Sequence, residues 1–207
     1  EAAARLHRWF AAVRAHGLCE WNSAAYYPID LLALLTLHDM EPSLRDECAA
    51  VLDQIFVMTG LHFCGGTPAG SQGRCYEKEL LAGPATELGS IAAIAFGGRF
   101  HAGYDRAAAL LCLSDYRPPA IATSFARVSG KNWLQARYTQ GTDHAGKLTL
   151  WKSRHGQLST VTDLMTGRQG HQAQVLDVQL ATHPMARLWI NHPGELKPWG
   201  ERRPSLL

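Results

Sequence analysis

The segment Gly70-Ser71-Gln72-Gly73-Arg74-Cys75-Tyr76-Glu77-Lys78 crowds an amide, a guanidinium, a thiol, a phenol and a carboxylate into one glycine-hinged loop. Loops carried on a rigid scaffold are where binding and catalytic groups concentrate. A second dense patch, Glu20-Trp21-Asn22-Ser23-Ala24-Ala25-Tyr26-Tyr27-Pro28-Ile29-Asp30, runs directly into an apolar helical stretch. Two polar patches at helix mouths suggest one shared cleft. Trp21, Tyr26 and Tyr27 could stack on the apolar faces of sugar rings. Glu20, Asp30 and Glu77 could supply the two carboxylates of a glycoside hydrolase, although Asp30, one turn into the helix, could instead cap or brace it. The bland alternative makes the three rings core aromatics and pairs Arg74 with Glu77 on a surface. Cys75 as a nucleophile would need a neighbouring base that the sequence does not identify.

The elements that must position these groups come from a chain of 207 residues, 46% hydrophobic and 18% charged, ample for a sizeable core. A formal net charge of +2 with scattered arginines gives no basic stripe of the kind that neutralises a phosphate backbone, so nucleic acid is not expected as a partner. The longest apolar run, Leu31 to Leu37, is far short of a membrane span. Five cysteines without a Cys-x-x-Cys pair indicate neither a disulfide framework nor a zinc site. The spacings of His171, Asp177, His183 and His192 match no zinc motif, and no metal or other cofactor is expected. Helix at the first residues and an abrupt finish suggest that both ends are cut from a longer protein, so the missing leader leaves periplasmic, secreted and cytoplasmic locations open.

The hydrophobic period divides the chain. From residue 1 to about 116 it is helical: Leu6, Phe10 and Val13 recur at four and three, Leu31, Leu32, Leu34 and Leu35 make a broad face, and Leu44, Cys48, Val51, Leu52, Ile55 and Phe56 form another stripe. Gly65-Gly66 should stop that third helix; further helices should start at Pro84 and Tyr104. Pro118-Pro119 breaks the register within a linker expected over residues 117 to 132. From Trp133 the period is two, with Leu148 and Leu150, then Leu176, Val178 and Leu180, then Leu188 and Ile190 alternating with polar or mixed positions. Gly141-Thr142-Asp143, His155-Gly156 and Thr166-Gly167-Arg168 supply turns at sandwich-like intervals. The expected class is α+β, with helical hairpins before residue 116 and antiparallel strands over 133–207.

The Glu20-Trp21-Asn22-Ser23 entry into a helix, the Gly73-Arg74-x-Tyr76 loop, and the stretches His171-Gln172-Ala173-Gln174 and Asn191-His192-Pro193-Gly194 together resemble the heparinase II/III-like polysaccharide lyases and their bacterial relatives. The resemblance implies part of an (α/α) toroid joined to the start of a β-sandwich, acting by β-elimination on an acidic polysaccharide that contains uronic acid. In such a lyase, donors must neutralise the substrate carboxylate; Asn22, Gln72 and Arg74 are the candidates, and Arg74 alone adds a full charge on a planar fork. Tyr76 is the first choice for proton transfer, because a guanidinium beside a phenol favours the phenolate. Trp21, Tyr26, Tyr27, Glu77 and His171 are expected to bind saccharide. A histidine commonly completes the site, with His192 the leading candidate and His171 and His144 behind it. Ser23 follows Asn22 where related toroid lyases often carry histidine, which leaves acid and base open between residues. Hydrolysis on the same scaffold and non-catalytic glycan binding are the rival functions; only elimination yields an unsaturated, ultraviolet-absorbing sugar.

Overall fold

The computed structural model describes residues 1–98, 106–141, 146–163 and 174–191, and joins a helical unit to a five-stranded antiparallel sheet, an α+β arrangement. The helices are α1 (Ala2–His16), α2 (Tyr27–Met40), α3 (Arg45–Leu61), α4 (Glu77–Ala82), α5 (Glu87–Phe96), α6 (Arg106–Leu113) and α7 (Ala120–Ala126). Pro28 sits in the first turn of α2, where its missing N–H costs no helical bond. Phe10 and Val13 of α1, Leu31, Leu34 and Leu35 of α2, Val51, Leu52, Ile55 and Phe56 of α3, and Leu88, Ile91 and Phe96 of α5 close one apolar core. No helix among the described residues is long and apolar enough to cross a membrane.

After α3 the chain makes a hairpin too short for periodicity to reveal, β1 (Phe63–Cys64) against β2 (Thr67–Pro68). Gly65 and Gly66 have φ of 64° and 84°, the pair of left-handed conformations that a two-residue hairpin turn requires and glycine adopts without steric cost. The hairpin delivers the chain into the loop that ends at Tyr76.

The sheet runs in sequence order: β3 (Trp133–Gln140), β4 (Gly146–Ser153), β5 (Gly156–Thr162), β6 (Gln174–Leu180) and β7 (Arg187–Asn191). It begins where the period changes. Residues 117 to 132, expected as a linker, instead contain α7, and Ala122 of α7 packs so closely on α3 that a Cβ at Gly60 would lie 2.3 Å from its carbonyl oxygen. Lys152 of β4 ties the units together: its Nζ donates to the carbonyls of Gly60 (3.0 Å), Leu61 (3.1 Å) and Phe125 (2.6 Å), capping the C-terminal turns of α3 and α7. Burial pulls that amino group down to about 7.

The sheet also reverses one expectation about its faces. Leu148 and Leu150 point into the molecule as the alternation implies, but in β6 the buried residues are Gln174, Asp177 and Gln179, whereas Leu180 is exposed. The outer face carries Trp133 (63% exposed), Trp151 (44%), Leu158, Leu188 and Ile190, with the two indoles stacked at 5.1 Å between centroids. Alternation gives two faces without saying which one is covered. The covered face carries Leu148 and Leu150 in β4 but Ser159 and Asp177 in β5 and β6, where it holds the backbone of the 70–74 loop.

Candidate functional site

The loop and the helix mouth do meet. Ser23 Oγ donates to the Arg74 carbonyl at 2.7 Å and accepts from Tyr26 N at 3.2 Å, so one hydroxyl joins the start of α2 to the loop. Gly73 N donates to the Trp21 carbonyl at 2.9 Å, and a Cβ at Gly73 would strike the Cys19 carbonyl oxygen at 2.3 Å and the Trp21 ring at 2.8 Å. Only glycine allows that approach. On the outer side of this junction four polar side chains converge. Arg74 Nη1 bonds Glu20 Oε1 at 2.8 Å, the guanidinium lies over the Tyr26 ring at 4.6 Å and the Tyr76 ring at 5.8 Å, and the two phenolic hydroxyls are 2.8 Å apart. Partial burial works against the Arg74 charge, but the bond to Glu20 and the neighbouring Tyr76, Tyr26 and Glu20 charges together outweigh it. Burial and then the Tyr76 hydrogen bond raise the Tyr26 phenol, against the opposing pull of Arg74.

Behind the loop, the covered polar face of the sheet fixes its backbone. Gly70 N donates to Asp177 Oδ1 at 2.7 Å, Ser71 N to Ser159 Oγ at 3.1 Å, and Gln174 N to the Gln72 carbonyl at 2.9 Å. Asp177 Oδ2 accepts in turn from Gln174 Nε2 at 2.7 Å and Arg187 Nε at 2.5 Å. These contacts satisfy two N–H groups and one C=O of the loop that would otherwise be buried without a partner. They also occupy Asp177, the described carboxylate among the residues weighed for a metal, and no group of three or more His, Cys, Asp or Glu among the described residues could hold a metal ion.

Several expected ligand contacts become supports. Asn22, at φ 53° in the left-handed region that asparagine tolerates, is buried; its Nδ2 donates to the Ser71 carbonyl at 3.0 Å and its Oδ1 has no hydrogen-bond partner. Gln72, also buried, accepts from Ala24 N at 3.0 Å and donates to Gln174 Oε1 at 3.4 Å. Both amides hold the loop in place. Trp21, 3% exposed, packs with Leu148 and Val161 of the sheet, and Tyr27, 1% exposed, belongs to the helical core, so neither ring offers a face to a sugar. Cys75 is buried, and burial pushes its thiol up to about 12, which removes it as a thiolate nucleophile. Asp30 is half-buried, and burial followed by the Glu20 charge pushes its carboxyl up to about 6. His144, His171, His192 and the Glu77 side chain lie outside the described residues.

The histidine that the structure does place near this junction is His62, just beyond α3, and the sequence reading passed over it. Its Nε2 bonds the Tyr138 hydroxyl of β3, and it is buried. Its position at a helix end, flanked by apolar residues, was the available signal. Burial, then the Lys152 charge, pushes the imidazole from 6.5 down to about 3. Unfolded chain therefore takes up this proton at a higher pH than folded protein. The stability that a neutral His62 contributes is complete above about pH 6.5 and is lost progressively as pH falls towards 3. At about 1.4 kcal/mol per unit the loss reaches several kcal/mol. Urea midpoints measured between pH 7 and 4 should fall, and His62→Gln should flatten the decline; equal slopes in both proteins would refute the assignment.

The junction thus presents a guanidinium and a phenol from a loop fixed from behind by the sheet, beside a carboxylate and a second phenol from the mouth of α2. No family model, curated protein or solved structure matches the chain.

Proposed function

We propose that the protein binds an acidic polysaccharide at Arg74 and breaks a uronic-acid linkage by β-elimination, with Tyr76 moving the protons. The observation that carries this reading is the meeting of Arg74, Tyr26 and Tyr76 in one partly exposed cluster. The Arg74 fork pairs with the substrate carboxylate and stabilises the charge that develops on it when C5 loses its proton. Tyr76 takes that proton and returns one to the departing O4, while the C4–O4 bond breaks and a C4–C5 double bond forms. Tyr26, hydrogen-bonded to Tyr76, holds its hydroxyl in line. In the same reading the helical unit is part of an (α/α) toroid and the sheet is one layer of a β-sandwich; the apolar outer face of Trp133, Trp151, Leu158, Leu188 and Ile190 supports a second layer.

Arg74→Ala should weaken binding of an alginate or glycosaminoglycan oligosaccharide roughly 10- to 100-fold, the value of a charge-assisted contact of about 1.5–3 kcal/mol, and lower turnover with it. Titration calorimetry measures this, and equal affinity in the variant would contradict the reading. Hydrolysis is the second reading, favoured by Asp30, whose carboxyl is pushed up to about 6 by burial and then by the Glu20 charge, a value suited to a general acid. Under that reading Asp30→Asn abolishes new reducing ends, and the products never absorb in the ultraviolet.

A further inference from the structure

The carboxylate of Glu20 already occupies the Arg74 contact that an acidic ligand would use. We propose that Glu20 is a resident counter-ion, exchanged for the ligand's carboxylate on binding, and that it thereby sets the affinity and charge selectivity of the Arg74 patch. The inference rests on Arg74 as the carboxylate-binding group.

The bridge is built to exchange. Its side chains are 33% and 23% exposed, so a ligand can reach both partners and water can receive Glu20 when it leaves. Bridges of that exposure contribute little to folding. Arg74 is also anchored without Glu20. Its backbone carbonyl accepts the Ser23 hydroxyl at 2.7 Å, and its guanidinium rests on the Tyr26 ring at 4.6 Å, a cation–π contact that survives departure of the carboxylate. Glu20 stands on a turn whose ends are fixed, since Ser23 N donates to the Glu20 carbonyl at 3.2 Å and the next residue is the buried Trp21. The backbone stays and the side chain swings on its own torsions. Until it does, its charge repels carboxylates, and a neutral sugar gains nothing from displacing it.

The alternative role is a brace that holds the guanidinium in position, and the two roles predict opposite signs. The test is titration calorimetry with short alginate and glycosaminoglycan oligosaccharides, and with cellotetraose as a neutral probe, in a Tyr76→Phe background that slows turnover roughly 100-fold or more. Adding Glu20→Gln should tighten binding of the acidic probes by about 3- to 10-fold and leave cellotetraose unchanged. Glu20→Asp, whose shorter carboxylate pulls back from Arg74, should tighten it less and guards against a folding defect peculiar to the Gln variant. Unchanged or weaker acidic binding in both variants, with Arg74→Ala abolishing it, overturns the counter-ion role and leaves Arg74 as the binding group. Acidic binding that ignores Arg74→Ala, or is absent from the background protein altogether, overturns the Arg74 reading and this inference together.

Discussion

Tyr76→Phe should lower turnover on a uronate polymer by roughly 100-fold or more while leaving affinity within about twofold. The hydroxyl is the one atom removed, and its contact is the Tyr26 hydroxyl at 2.8 Å. The ring that sits 5.8 Å from the Arg74 guanidinium remains, so the binding patch keeps its shape. Tyr26→Phe should cost less, because that hydroxyl orients the proton carrier without itself meeting substrate. Steady-state rates for both variants separate the roles. If Tyr76→Phe retains more than a tenth of the wild-type rate, or Tyr26→Phe is the more damaging change, Tyr76 is not the proton carrier.

The second large effect is on folding. Asp177→Ala should destabilise the protein by about 3–5 kcal/mol, the range found when one partner of a buried ion pair is removed. Asp177 is fully buried and accepts from Arg187, Gln174 and the backbone N–H of Gly70. Its loss strands the Arg187 charge, whose side chain is 5% exposed, and frees the start of the 70–74 loop from its carboxylate anchor. Asp177→Asn keeps the shape and one acceptor oxygen but loses the charge and turns the other oxygen into a donor, so it should recover only part of the loss. Denaturant midpoints measure both. A cost below 1 kcal/mol for the alanine variant would mean that the sheet does not hold the loop as described.

The period change was legible because it depends on local pattern: the strands begin at Trp133, and the stripe Tyr27, Leu31, Leu34, Leu35 shows α2. That same stripe already marked Tyr27 as core, since it falls four residues before Leu31; its phenol drew it into the candidate site instead. Trp21 carried no such signal, because its partners Leu148 and Val161 lie in distant strands. Nor did Asp177 and Arg187, which alternate with aliphatic residues and so read as a solvent face. The burial of Asp177 follows from the Gly70 N–H that it accepts, a long-range demand that no window of sequence contains, and Arg187 is drawn in as the partner of Asp177. The sequence points to one cleft shared by Asn22, Gln72, Arg74 and Tyr76; Arg74 and Tyr76 do meet, with Tyr26 beside them, whereas Asn22 and Gln72 turn inward. Residue chemistry makes both amides donors to substrate, yet an amide buried beside a loop backbone has nearer partners than a ligand.

The most direct test of uronate elimination at Arg74 and Tyr76 is to follow ultraviolet absorbance while the protein is incubated with alginate, glycosaminoglycan and other uronate polymers. The account predicts absorbance that rises with at least one polymer, in step with new reducing ends, and that disappears in Arg74→Ala and Tyr76→Phe. New reducing ends without that absorbance, or no product from any polymer, would contradict it.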